Sequence, residues 1–158
     1  MEALNNDYCV SSEERDWQLF IEWNKRTSAF TDYHHTAKGE PYDVVGRLRD
    51  GREAVAELKY RNVRHDTYPT AMIESDKLAD GLLYAAMSGM TPLYINFYSD
   101  DWTSVHNLIN QHSITKQQKQ RRSNPGFDDK MVEHCAYHLS RKDGVYYNDS
   151  GRVHRYCV

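Results

Sequence analysis

The stretch Pro41-Tyr42-Asp43-Val44-Val45-Gly46-Arg47-Leu48-Arg49-Asp50-Gly51-Arg52-Glu53-Ala54-Val55-Ala56-Glu57-Leu58-Lys59-Tyr60 decides the fold. Two runs rich in apolar residues flank Asp50-Gly51, a tight-turn dipeptide, and predict a β-hairpin over roughly 43–61. Side chains alternate between the faces of a strand. On the second strand Val55, Glu57 and Lys59 therefore point one way, and Ala54, Ala56, Leu58 and Tyr60 the other. On the first strand Asp43, Val45 and Arg47 share a face. If the two faces coincide, two carboxylates and an ammonium converge on a sheet among apolar neighbours, an arrangement suited to holding a divalent cation against a phosphate.

Outward from the hairpin, the order of elements points to a mixed sheet. Residues 11 to about 27 predict a helix, with Ser11 and Glu14 spaced as a capping box and Trp17, Phe20 and Ile21 at helical spacing. Residues 29–40 hold a short strand or a loop. Arg61 to Thr70, broken by Pro69, predicts a loop, and a second helix is expected from about Ala71 to Ser88, closed by Gly89. Pro92 to Tyr98 is almost wholly apolar and predicts a central strand. Val105 to Ile109 is read as a strand or a helix, with the strand preferred. Thr115 to Asn124 is read as a basic, glutamine-rich loop, and the last thirty residues as irregular strands with turns at 142–144 and 149–151. A helix between two strands is a crossover connection, so the fold class expected is α/β, a mixed β-sheet flanked by helices.

Bulk composition narrows the function classes. The 158 residues, 39% apolar and 27% charged, predict one globular domain over 1–158, with its core at about 11–98 and an irregular extension over 99–158. No run of about 18 apolar residues is present, so no membrane span is expected. Met1 to Asp7 lacks the basic start and apolar stretch of a signal peptide. The three cysteines, Cys9, Cys135 and Cys157, are odd in number and far apart, which argues for a reducing, cytoplasmic setting. A net charge of −3 argues against a protein that coats nucleic acid through bulk charge, though not against an enzyme with a local basic groove. His134-Cys135-Ala136-Tyr137-His138 lacks the paired spacing of a zinc site. No Gly-rich phosphate loop and no nucleophile elbow is present.

Asp43 opening the hairpin, Glu57-Leu58-Lys59 on its second strand, an acidic helix upstream, and a helix and apolar strand downstream resemble the PD-(D/E)XK nuclease superfamily. That is the fold of restriction endonucleases and archaeal-type Holliday junction resolvases. The resemblance covers roughly residues 11–98. The family has proline directly before the aspartate, whereas here Tyr42 intervenes between Pro41 and Asp43. It implies a restriction-endonuclease-like core of helix, hairpin, helix and strand, and hydrolysis of DNA phosphodiesters with Mg²⁺ or Mn²⁺.

Asp43 and Glu57 would then be the carboxylate ligands, joined by the Leu58 carbonyl, with Lys59 orienting the attacking water. Glu14 on the first helix would complete the site, and Glu13 is nearly as well placed. Lys77 on the second helix would reach the same site. Arg47, Arg61, Arg64 and the cluster Lys116, Lys119, Arg121 and Arg122 are candidate phosphate contacts. The partner expected is DNA, gripped with the help of a homodimer or a protein partner. A nuclease-like module that binds DNA or protein without cutting is the rival class, and retention of Asp43, Glu57 and Lys59 together favours the enzyme.

Overall fold

The structure is a computed structural model that describes the backbone of residues 2–112, 114–122 and 132–155. It begins with helix α1 (Glu2–Thr27), followed by strands β1 (Phe30–His35), β2 (Val44–Leu48), β3 (Glu53–Arg61) and β4 (Thr70–Glu74). Helix α2 (Ser75–Ser88) leads to β5 (Thr91–Tyr98), β6 (Thr103–Asn107), β7 (Ile114–Arg122), β8 (Val132–Ser140), β9 (Gly144–Tyr147) and β10 (Val153–His154). A seven-stranded sheet runs in the order β1-β2-β3-β5-β6-β9-β10, and a three-stranded sheet in the order β4-β8-β7. β3 and β5 are parallel, while the described neighbours on either side of them are antiparallel. The helix–hairpin–helix–strand core and the mixed sheet expected from the sequence are therefore what the chain forms.

The hairpin closes as its turn residues dictate. Gly51 adopts a φ of 91°, open to glycine and strained for a side-chain-bearing residue. Val45 pairs with Val55 and Arg47 with Glu53, so the two strands present their odd-numbered side chains on one common face. The even-numbered face is apolar. Ala54, Ala56 and Leu58 of β3 pack with Leu93, Ile95 and Phe97 of β5 against Phe20 and Trp23 of α1. The opposite face is covered by α2, with Tyr94 of β5 buried among Ile73, Leu78, Leu108 and Leu139. A buried side chain fixes the end of α1: the Asn24 amide nitrogen donates to the Phe30 carbonyl at 3.0 Å, and its oxygen accepts from the Phe30 N–H at 2.7 Å. Gly89 ends α2 as expected, with a φ of 72° and its N–H donating to the Ala85 carbonyl at 2.9 Å.

Four sequence expectations need correction. Helix α1 starts at Glu2, so Ser11 lies inside it and is no cap. Neither glycine nor proline occurs between Glu2 and Ser11 to stop the helix. The second helix begins at Ser75, because residues 70–74 pair with β8 as a strand with alternating burial. That pairing overrides the helical propensity of Ala71-Met72-Ile73-Glu74. The basic segment expected as a loop is strand β7, paired antiparallel with β8. Finally, residues beyond 98 are not an irregular extension: β6, β9 and β10 continue the main sheet past β5. Among the described residues no helix is long and apolar enough to cross a membrane.

Candidate metal centre on the hairpin

Asp43 stands one position before β2, at the end of the ladder: its N–H donates at 3.0 Å to the carbonyl of Ala56, the residue paired with Val44, and its side chain lines the same cavity as Glu57. The Asp43 side chain then folds back along the sheet, and its Oδ2 accepts the Leu58 N–H at 2.8 Å. Where β2 has ended, that N–H would otherwise lack a partner. The Leu58 carbonyl leaves β3 on the same edge as its N–H, as strand geometry requires.

Tyr42, the residue that departs from the nuclease pattern, docks this end of the hairpin on α2. Its hydroxyl donates to the Asp80 carbonyl at 2.7 Å, and its ring meets the Tyr84 ring edge-on at 4.8 Å. Helix α2 is thereby held where Lys77 Nζ sits 3.2 Å from Glu57 Oε1. Asp43, Glu57, Leu58, Lys59 and Lys77 line one cavity of about 230 Å³. Ser12, Glu13 and Asp16 of α1 and His35 of β1 close its other side.

The electrostatics are those of crowded, half-dry carboxylates. Burial and the neighbouring Asp43 charge push Glu57 up to about 7, against the opposing pull of Lys77 and Lys59. Burial also raises Asp43, opposed by the Leu58 N–H, Lys77 and His35. Asp16 is raised by burial too, against the pull of its neighbour Arg15. Burial works against the Lys77 charge, yet Glu57 and Asp43 overcome it and raise its pKa. Glu57 Oε2 is buried with no hydrogen-bond partner among the described residues. A buried, unpartnered carboxylate oxygen is costly, and a cation beside Asp43 would satisfy it. Two carboxylates and a backbone carbonyl form a hard oxygen donor set, which suits Mg²⁺ or Mn²⁺. The residues present fit the metal.

Glu13 lines this cavity and Glu14 does not. The cause is helical phase. Phe20 and Trp23 are the fully buried helix residues in the core against the sheet, and stepping back from Phe20 by four and seven positions arrives at Asp16 and Glu13. Asp16 and His35 were missed at the sequence level. His35 is held by stacking on Trp17, ring centroids 4.6 Å apart.

The basic candidates scatter. The Arg61 guanidinium is tied to the Met72 carbonyl, to the Tyr94 hydroxyl at 2.6 Å and to Asn96 Oδ1 at 3.2 Å, which makes it a brace between β3, β4 and β5. Arg64 is exposed and meets Asp66 at 3.3 Å and Asp100 at 4.0 Å. Arg47 faces Glu53 across the hairpin at 3.9 Å. Lys116, Lys119, Arg121 and Arg122 lie on β7, and their side chains fall outside the described residues.

A second group could also hold a metal: ligand atoms of His65, Asp66 and Asp100 lie within 4.8 Å of one another. Its central contact is already made, with His65 Nδ1 2.6 Å from Asp100 Oδ2 and the imidazole stacked on Trp102 at 3.9 Å. The hairpin site, by contrast, holds a buried oxygen that nothing described satisfies.

No family model matches the chain, and no curated protein does. Among solved structures, the chain is similar to the 1.6 Å structure of Hjc from Archaeoglobus fulgidus, a Holliday junction resolvase from an archaeal hyperthermophile. The identity is 10% and the TM-score 0.49, over 80% of this chain and 82% of that one. The chemistry rests on this chain's own side chains.

Proposed function

We propose that the chain is a metal-dependent nuclease that hydrolyses DNA phosphodiester bonds. The observation that carries this reading is the meeting of Asp43 and Glu57, from adjacent strands, in one cavity with Lys59 and a buried, unpartnered Glu57 oxygen. Asp43, Glu57 and the Leu58 carbonyl would hold Mg²⁺ or Mn²⁺. Bound there, such a cation supplies a Lewis acid for a phosphoryl oxygen and acidifies water.

The chain's own groups do the rest. The Leu58 N–H fixes the orientation of the Asp43 carboxylate. Lys59, two residues beyond Glu57 on the same face, orients the attacking water and offsets negative charge as it develops on the phosphate. Lys77 balances the Glu57 carboxylate and brings a second ammonium to the phosphate side of the cavity. Glu13 and Asp16 place acceptors on the far wall for water held opposite the sheet.

One observation favours the rival class, a module that binds without cutting. The Lys77 ammonium at 3.2 Å already compensates one oxygen of Glu57 without any metal. A panel of linear, circular, single-stranded and branched DNAs incubated with Mg²⁺, Mn²⁺ or EDTA separates the two. The nuclease reading expects product with Mg²⁺ or Mn²⁺ and none with EDTA. Retained DNA binding with no product under any metal would transfer the chain to the binding class.

A further inference from the structure

Beyond the site on the hairpin, β3 carries a second feature on the same face. Residues two apart on a strand are separated by roughly 6–7 Å, so Glu57, Lys59 and Arg61 form a row leading away from the carboxylates. Glu57, Lys59 and Lys77 belong both to the site cavity and to a narrow neck of about 40 Å³ beside it. Arg61 and Met72 in turn belong both to that neck and to a cavity of about 400 Å³ between the two sheets. Arg61 lies four residues beyond Glu57, so the larger cavity begins roughly 13 Å along β3 from the carboxylates, about two steps of an extended nucleic-acid strand.

Its chemistry differs from that of the site. Val63, Met72 and the Tyr98 ring give it apolar walls, and Tyr68 stands at its mouth with 61% of its surface exposed. One polar pair, Thr70 Oγ1 and His138 Nδ1 at 2.9 Å, lies at the β4–β8 side. The walls are also fixed in advance. Arg61 is braced by three acceptor or hydroxyl partners on β4 and β5. The loop bearing Tyr68 is tied to Arg141, which donates from its side chain to the Tyr68 carbonyl at 2.6 Å and from its N–H to the Pro69 carbonyl at 3.1 Å. A pre-formed, mostly apolar cavity with a few polar groups, within the range of about 300–1,000 Å³ found for small-molecule sites, suits one flat heteroaromatic ring.

We propose that this cavity receives the unpaired base of a nucleotide about two steps from the scissile phosphate, stacked on Tyr68, and that the chain therefore prefers DNA splayed or single-stranded at that point. The proposal rests on the nuclease reading, because the site supplies the phosphate from which the base is reached. A base within a duplex cannot enter, since its edge is paired and both faces are stacked; it must first be extruded or already be unpaired. Aromatic stacking tolerates any base, so the preference is for strand structure rather than sequence.

Fluorescence titrations in EDTA test this without reliance on cleavage. The probes are a forked DNA with 2-aminopurine at the first unpaired nucleotide and a fully paired duplex with the same label, every DNA also carrying a distal fluorescein whose anisotropy reports binding. The parent protein is expected to change the emission of the fork and not of the duplex. Tyr68→Ala should weaken fork binding about tenfold and leave duplex binding within about twofold. Val63→Trp, which fills the cavity from a loop position, should do the same. An abasic residue in place of the label should weaken the parent's binding equally and erase the difference between parent and Tyr68→Ala. Equal fork affinity for parent and Tyr68→Ala, or the same emission change on fork and duplex, overturns the proposal. The two readings fail separately. Tyr68-dependent fork binding without metal-dependent cleavage supports the cavity and removes the nuclease, whereas cleavage by a protein indifferent to Tyr68→Ala does the reverse.

Discussion

Asp43→Ala is expected to lower metal-dependent DNA cleavage by on the order of 10³-fold while the protein stays folded. The effect is large because the substitution removes a ligand oxygen and, with it, the means of placing a cation beside Glu57. It also removes the acceptor of the Leu58 N–H, a bond of 2.8 Å whose loss costs about 1 kcal/mol, well short of unfolding a domain of this size. Asp43→Asn separates the two consequences. Its amide oxygen still accepts the Leu58 N–H, so stability is kept and cleavage is lost. Initial rates on labelled DNA under saturating Mg²⁺, with thermal melts alongside, check both variants. Parent-like cleavage by Asp43→Ala would remove this carboxylate from the chemistry.

Glu57→Gln is expected to abolish cleavage and, at pH 8 without metal, to stabilise the fold. Burial and Asp43 hold the Glu57 pKa at about 7, above its ordinary 4.5. Between those values the folded protein keeps a proton that the unfolded chain has released. The stability tied to that proton is whole below pH 4.5 and is lost as the pH climbs through 7. A shift from 4.5 to about 7 converts nominally to roughly 3 kcal/mol. Glutamine also weakens the Lys77 contact, so a net gain of about 1–2 kcal/mol is expected at pH 8 and almost none at pH 4.5. Urea denaturation at the two pH values measures it. A Glu57→Gln protein less stable than the parent at pH 8 would show that the buried carboxylate is well satisfied as it stands. Such a gain on removing a functional group would mark Glu57 as a residue kept for chemistry at the expense of stability.

The hairpin was legible because its turn and its alternation are local. Asp50-Gly51 fixes the loop, the loop fixes the register, and the ladder it sets ends at Val44 and Ala56, one residue short of Asp43 and Glu57. Lys77 was legible as a candidate from its helix, but its contact with Glu57 depends on how α2 docks. That docking is set by Tyr42 and Asp80, far apart in sequence. The choice between Glu13 and Glu14 required the phase of α1 against the sheet. Phe20 and Trp23 carry that phase, while Trp17 and Ile21, equally apolar in composition, are only half-buried. β4 and β7 were hidden for a related reason. Each exists through pairing with β8, more than sixty positions along the chain in the case of Thr70 and Ser140, and non-local pairing leaves little trace in a local pattern. Arg61 looked like a surface cation because sequence shows its charge and not the Met72 carbonyl and Tyr94 hydroxyl that engage it.

Calorimetric titration of Mn²⁺ into the parent protein and into Asp43→Asn, at pH 8 and without DNA, tests the hairpin site most directly. The expected result is saturable Mn²⁺ binding by the parent that disappears in Asp43→Asn, with the two proteins equally folded. Equal Mn²⁺ affinity in both, or no binding by the parent even with DNA present, would contradict a cation shared by Asp43 and Glu57.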